Sequence, residues 1–419
     1  MRKPVGTALL WILAGASVVL LVYELATLIG SVLRPLIANP LALQTDFHYY
    51  YDAAVRFSQE PSRLYLRSDD VIAGFAYPPP AILPFMWLSG WPLGTALLAF
   101  TIASYLVLLI ALQQWTKGLK RHGFSIDRRT AIAGMLIAFA LGPTYMNAIF
   151  GQVNAFVLAC AVAFVSLSPA TTLEAALVLA IGTWLKVYPI MLAAIGLWDR
   201  RTWRALGWSI VAAIAIAVLV MTIVPAAAFH SFFFDVLPSR IDKTAIHISN
   251  QSLVAFLERF RYPSHQFLNW TGEQAVTVTA AVRIVNVIAV AVAIAGLWLR
   301  TRNGTHLLSN AAILMALIAV AAPLGWGHTY VMVLPLVMLQ VIAMRDARPI
   351  VAIVIFCCVA ALMVPAGRRF AFVEGSPDWM LNLIYSRYLL ATVVLAGVAS
   401  TVIETPEATA ARASRLVSK

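Results

Sequence analysis

Two residues in this chain have the type and setting for chemistry. One is a carboxylate set among aromatics, in Thr45-Asp46-Phe47-His48-Tyr49-Tyr50-Tyr51-Asp52. The other is a lysine set inside an apolar run, in Lys186-Val187-Tyr188-Pro189. A positioned carboxylate can take the proton of an attacking hydroxyl, which contributes on the order of 10²–10⁴-fold to a rate. A cation fixed where water is scarce can stabilise a leaving anion as its charge develops. Asp46 is therefore read as the general base and Lys186 as a phosphate ligand. Asp52 is the fallback base, but six residues along a helix turn it off the Asp46 face by more than half a turn. The plainer reading of Lys186 is a lysine that snorkels to the interface.

Other polar residues accompany this pair. They are His48 and Tyr50 beside Asp46; Tyr77 in Phe75-Ala76-Tyr77-Pro78-Pro79-Pro80; Gln152 and Asn154 in a polar turn; and Tyr188 after Lys186. Further on are Asn250 and Gln251 in His247-Ile248-Ser249-Asn250-Gln251-Ser252, and Trp326 and His328 in Gly325-Trp326-Gly327-His328-Thr329-Tyr330. The polar turn could bind sugar hydroxyls, or it could only hydrogen-bond neighbouring helices. A single histidine at a helix end is more often structural. Glu24 and Arg283, in or near apolar runs, are read as pairing with helix neighbours.

The elements that hold these residues lie in a membrane. Of 419 residues, 61% are hydrophobic and 11% charged, with a mean hydropathy of +0.85. Soluble proteins carry about 25% charged residues. Apolar runs of about 17 residues or more recur, each long enough to cross roughly 30 Å of hydrocarbon. The runs are continuously apolar, which excludes a β-barrel. The fold class is an all-α polytopic membrane protein with both termini inside. It has about twelve membrane segments, and large outside loops that carry short helices. Residues 1–403 are read as one integral-membrane domain and 404–419 as a polar cytoplasmic tail. The net charge of +12 reflects basic residues kept on the inside, not affinity for nucleic acid.

The first run, Thr7 to Ile29, is too long for a signal-peptide core and is read as a retained helix. A loop from Gly30 to Ala76 follows outside, with Asp46, Asp52, Glu60, Asp69 and Asp70; Asp46 to Phe57 is expected to form a surface helix. Five prolines between Pro78 and Pro92 indicate a short or re-entrant helix. Leu173 to Trp198 is expected to break at Lys186-Pro189 into two half-helices, with Lys186 towards the outside. Pro225 to Gln274 forms a second outside loop, and the next span starts at Ala275. The proposed inside segments hold 17 Lys/Arg and 5 Asp/Glu, the three longer outside loops 10 and 11, as the positive-inside rule requires. This topology puts all the polar motifs on one face of the membrane.

Cys160, Cys357 and Cys358 lie in apolar runs and are read as packing residues, with no disulfide or metal role. The chain has no phosphate-binding Walker loop, dinucleotide fingerprint or zinc spacing.

Taken together, Asp46-Phe47-X-X-Tyr50, Phe75-Ala76-Tyr77-Pro78-Pro79, Gly151-Gln152-X-Asn154, Lys186-Val187-Tyr188-Pro189 and Asn250-Gln251-Ser252 resemble glycosyltransferase family 87. The likeness runs from about Asp46 to His328. It implies a GT-C fold and an inverting transfer of a sugar, mannose in many relatives, from a polyprenyl-monophosphate carrier to a hydroxyl of a glycolipid or glycan. It also implies a site on the periplasmic or extracellular side of the plasma or inner membrane, with Asp46 as base, basic groups on the carrier phosphate, and no metal or cofactor. The chain departs from some relatives in having His48 and three consecutive tyrosines after Asp46. A transporter or flippase of lipid-linked sugars is the competing reading. It explains Lys186 and the broken helices, but it wants an inverted repeat and a midplane site.

Overall fold

The computed structural model describes residues 4–33, 45–65, 74–122, 124–167, 171–269, 275–301 and 307–402. Asp69, Asp70 and residues 404–419 lie outside them. Among the described residues, five helices are long and apolar enough to cross a membrane: Val5–Gly30, Leu93–Arg121, Arg200–Val220, Ala280–Thr301 and Gly327–Met344. Two bent pairs, Arg128–Phe139 with Gly142–Phe150 and Asp378–Tyr385 with Arg387–Ser400, bring that to as many as seven. Other apolar helices, including Asn154–Leu167, Thr172–Leu185 and Leu307–Ala321, run only 10–17 residues. The expectation of about twelve segments goes beyond this count. Proline is one reason the helices are short. Pro143, Pro189, Pro335 and Pro349 each sit in the first turn of a helical segment, where the missing N–H costs nothing and the chain can change direction.

Burial orders the spans. Gly327–Met344 has the lowest mean hydropathy of the five, 1.6, yet is 94% buried; Ala280–Thr301, at 2.3, is 11% buried. The central helix tolerates polar residues because protein supplies their partners: the Gln340 amide donates to the Leu395 carbonyl at 2.8 Å. The neighbouring Trp115 indole donates to the Pro335 carbonyl at 3.1 Å. The peripheral helix faces outward along most of its length, with Ile284, Val287, Ile288 and Val292 exposed, as a lipid-facing surface requires.

The break at Lys186 is present. Thr172–Leu185 ends there with Lys186 extended, and a 3-10 helix, Tyr188–Leu197, continues. The surface helix is present too, as Asp46–Gln59. One boundary needs correction. Ala275–Thr277 is not the start of a span but a strand, paired antiparallel with Lys243–Ala245; the span begins at Ala280. Val276, Thr277 and Val278 are β-branched, which favours the extended backbone over the helix the apolar run suggested.

The stretch 225–269, expected from the sequence as a loop, is packed. Arg259, 1% exposed, sits at its centre. Its guanidinium donates to Asn382 Oδ1 at 2.7 Å, to Ser386 Oγ at 2.8 Å, and to the carbonyls of Asn250 at 2.8 Å and His247 at 3.3 Å. Burial lowers the Arg259 pKa to about 9. This ties the Leu253–Arg259 helix to the Asp378–Tyr385 helix.

Candidate active site

The Asp46–Gln59 helix buries Phe47, Tyr50, Ala53, Ala54 and Phe57, residues spaced by three and four on one face. Phe47 packs on Phe100 at 5.2 Å and Phe85 at 6.1 Å between ring centroids. That anchor fixes Asp46 in the first turn, where the positive end of the helix dipole favours a carboxylate. Asp52 is exposed on another face, so the fallback base does not reach the site. His48 Nδ1 lies 3.3 Å from the Thr45 N–H and 3.0 Å from the Thr45 hydroxyl; the ring is used on the start of its own helix.

Gly151 brings the second wall in. It ends the Gly142–Phe150 helix with φ +62°, a conformation that costs glycine little. A Cβ there would sit 2.7 Å from Phe47 Cβ and 2.9 Å from Leu97 Cδ1. The close approach sets Gln152 against Asp46: the Gln152 amide NH₂ donates to Asp46 Oδ2. Its oxygen accepts from the hydroxyls of Tyr50 at 2.9 Å and Tyr77 at 3.1 Å. These two hydroxyls are 2.6 Å apart. Tyr77 is held from behind by the Tyr65 hydroxyl, which donates to its carbonyl at 2.7 Å.

Asn154 makes the parallel connection. Its Oδ1 accepts from Lys186 Nζ at 2.8 Å and from the Tyr188 hydroxyl at 2.6 Å. An ammonium only donates, so the amide oxygen must face it and the NH₂ must face away. That NH₂ lies 3.0 Å from His328 Nδ1 and 3.1 Å from the His328 carbonyl. His328 Nδ1 is therefore the acceptor, and in the neutral ring the proton is on Nε2. Nε2 faces Asp46 Oδ2 at 3.5 Å. Both of these neighbours address the same carboxylate oxygen, and Oδ1 is left clear of the groups that hold Oδ2.

The carboxyl is surrounded by protein but keeps 32% of its side-chain surface accessible. Burial raises its pKa above the ordinary value; the Gln152 hydrogen bond and the charges of Lys186 and Arg240 pull it back. Burial also keeps Tyr50 and Tyr77 neutral. Lys186 Nζ lies 5.4 Å from the ring centres of both Tyr77 and Tyr188, a cation held over aromatic faces.

Asp46, Tyr50, Tyr77, Gln152, Asn154, Lys186, Tyr188 and His328 thus converge. The chain also matches a family model over part of its length. Glycosyltransferase family 87 matches residues 75–321, more than half of the chain. The chain belongs to glycosyltransferase family 87. No curated protein matches it. The matched stretch of this family 87 member starts after Asp46 and ends before His328; geometry brings those two residues to the matched Gln152, Asn154 and Lys186.

Asn250 and Gln251 are not brought into this cluster. Both are fully buried. Asn250 Nδ2 donates to the carbonyls of Ala245 and Pro323 at 2.9 and 3.0 Å. Gln251 Nε2 donates to the Tyr385 carbonyl at 2.6 Å, and its Oε1 accepts from the Tyr388 N–H at 3.0 Å. They form the floor on which the next wall rests: the Asn250 backbone pairs with Trp326, and the Gly327 N–H donates to the Ser249 carbonyl at 2.9 Å. Trp326, half-buried, precedes the 3-10 turn Gly327–Val333 that carries His328. Sequence reading missed Arg240, whose charge acts on both Asp46 and Tyr77. Its only signal is position, a basic residue closing the aromatic run Phe232-Phe233-Phe234-Asp235-Val236-Leu237-Pro238-Ser239-Arg240.

Proposed function

We propose that this glycosyltransferase moves a sugar from a polyprenyl-monophosphate carrier to a hydroxyl of a glycolipid or glycan, with inversion and with Asp46 as general base. The observation that carries the reading is one carboxylate oxygen held by Gln152 and His328, with Lys186 joined to that His328 through the Asn154 amide. The acceptor hydroxyl loses its proton to Asp46 Oδ1 as its oxygen bonds to the anomeric carbon. The bond from that carbon to the phosphate oxygen breaks, and the electron pair leaves with the phosphate. Lys186 balances the charge that develops there. His328, donating through Nε2, and Gln152 orient the carboxylate so that its free oxygen meets the incoming hydroxyl.

The reading includes a GT-C-type bundle of about twelve segments in one domain over residues 1–403. It places a multi-pass protein in the plasma or inner membrane, with the site on the outer side and membrane lipid around the carrier. The proposed sugar is mannose, by the resemblance described above. The test is transfer of radiolabelled sugar from a polyprenyl-phosphate donor by purified protein in lipid nanodiscs, with membrane glycolipid extract as acceptor. Wild type is expected to label a glycolipid and Asp46→Asn to label none. Equal labelling by the two proteins would refute the role of Asp46, and no labelling by wild type from mannosyl, glucosyl or arabinosyl donors would refute the transferase.

A further inference from the structure

The His328 ring is held in place by packing. A Cβ on Gly327 would lie 2.6 Å from Met146 Sδ and 2.8 Å from Ala366 Cβ, so the turn is pressed between its neighbours. The ring itself is buried, and Phe150 meets it edge-on at 6.0 Å. Such packing fixes where the ring lies but not which nitrogen carries its proton, because the two neutral forms have the same heavy-atom shape. Hydrogen bonds make that choice. With the proton on Nε2, the ring donates towards Asp46 Oδ2. With the proton on Nδ1, a lone pair would face the carboxylate and repel it. The 3.5 Å separation is the loose end of a hydrogen bond, as sites without substrate show before they tighten. Asn154 decides the matter, and its own orientation is fixed from both ends. Lys186 Nζ and the Tyr188 hydroxyl reach Oδ1 at 2.8 and 2.6 Å. The His328 carbonyl, which can only accept, receives from Nδ2 at 3.1 Å. A reversed amide would set NH₂ against an ammonium and oxygen against a carbonyl. The NH₂ therefore stays on His328 Nδ1, at 3.0 Å, and excludes a proton there.

We propose that Asn154 is a positioning residue that locks His328 in its Nε2–H form and so keeps a hydrogen-bond donor aimed at the base, and that Tyr188 holds this lock while Lys186 is engaged by substrate. The proposal rests on the transferase reading. Two donors share one amide oxygen, and they differ in what else they do. Lys186 carries the charge that a donor phosphate attracts, so the arriving phosphate draws it away from Asn154. Tyr188 carries no charge and stays. Its hydroxyl alone keeps Oδ1 turned away from His328, so the carboxylate has the same partners before and after the carrier binds. Gln152 obeys the same rule. Its oxygen faces the Tyr50 and Tyr77 hydroxyls, and its NH₂ faces Asp46. Both amides of the turn are thus pointed by donors on their far sides, so that N–H groups reach Oδ2 and the acceptor's proton goes to Oδ1. Nothing around Oδ2 has to rearrange when that proton arrives.

The test reads the proton directly, by nitrogen-15 magnetic resonance of full-length protein in proteoliposomes with ring-labelled histidine. The chain has seven histidines, and His328→Gln identifies the signal by its loss. Wild type is expected to show His328 with Nε2 protonated and Nδ1 bare. Asn154→Asp, which offers Nδ1 only acceptors, should put a proton on Nδ1. Asn154→Leu, which offers it nothing, should give both forms, and it serves if the first variant folds poorly. Lys186→Met stands in for a lysine drawn away and should leave the ring as in wild type, whereas Lys186→Met with Tyr188→Phe should release it to both forms. The kcat of Asn154→Leu should fall about ten-fold or more, the scale of one hydrogen bond to a charged group. A wild-type ring protonated on Nδ1, or a ring indifferent to both Asn154 variants, overturns the lock. A ring already released by Lys186→Met overturns the part given to Tyr188. The spectra need no turnover. A ring that Asn154→Asp unlocks, in a protein whose wild type transfers nothing, would sink the transferase reading alone, and normal transfer by a variant with an unlocked ring would sink only the positioning role.

Discussion

Gln152–Asn154 and Asn250–Gln251 are the same kind of motif, an adjacent or near-adjacent pair of amide side chains at a turn, and they have opposite fates. The first pair ends on ionisable groups. Gln152 joins Asp46 to two tyrosines, and Asn154 joins His328 to Lys186 and Tyr188. The second pair ends mainly on backbone carbonyls and N–H groups and is sealed from solvent. Residue type and spacing do not separate the two. What separates them is the partner at the far end of each amide. A carbonyl partner makes the amide a brace; a carboxylate or imidazole partner makes it a means of setting protonation and orientation.

That contrast can be broken most directly at Asp46. Asp46→Asn should lower kcat by about 10²–10⁴-fold, the usual worth of a general base, with expression unchanged. Its stability should move the other way. The raised pKa of the folded carboxyl means that the ionised form is held at a cost, so the stability tied to this group is full below its unfolded pKa and lost as pH rises through the folded one. Thermal unfolding at neutral pH should therefore show Asp46→Asn no less stable than wild type. A large drop would mean that the carboxylate braces the fold.

Arg259→Met tests the sealed region. It strands Asn382, Ser386 and two carbonyls, each at about 1–3 kcal/mol. The expected result is a clear fall in Tm or detergent half-life, with the surviving folded fraction turning over at the wild-type rate. A well-folded but inactive protein would move Arg259 into the site. Gly151→Ala comes next: the positive φ and the two clashes should displace Gln152 and cost up to about 10²-fold in kcat, since misplacement by 1 Å has that scale. Gln152→Leu should act more gently. It removes a hydrogen bond that lowers the Asp46 pKa, so the acid limb of the kcat/KM profile should move to higher pH; a limb that stays in place would mean that Asp46 does not titrate in it. Asp52→Asn should change nothing measurable.

Most of the site could be read from the sequence because membranes penalise idle polarity. Lys186 in an apolar run, and Asp46 beside tyrosines, had to be explained. The break at Lys186 followed from Pro189, whose missing N–H must sit in a first turn. Asn250 and Gln251 were misread because packed backbone also needs amides as partners, and a sequence does not give those partners. Arg240 was passed over because basic residues in loops are common, and a sequence does not show which carboxylate such a charge acts on. The strand at Ala275–Thr277 was taken for the start of a helix because β-branched apolar residues fit either until a pairing partner, Lys243–Ala245, is known.

The Ala280–Thr301 helix has a practical consequence. Protein covers little of it, and Arg283 in its first turn clasps Asp242 at 2.6 Å, at the end of the Leu237–Asp242 helix. Whatever surrounds that helix thus bears on the Leu237–Asp242 helix. Exchanging native lipid for a short-chain surfactant changes the medium around one helix, and through a single clasp it reaches the segment that leads into the strand Lys243–Ala245. Extraction conditions are part of this protein's architecture, and activity lost on solubilisation should return when a bilayer of matching thickness is restored.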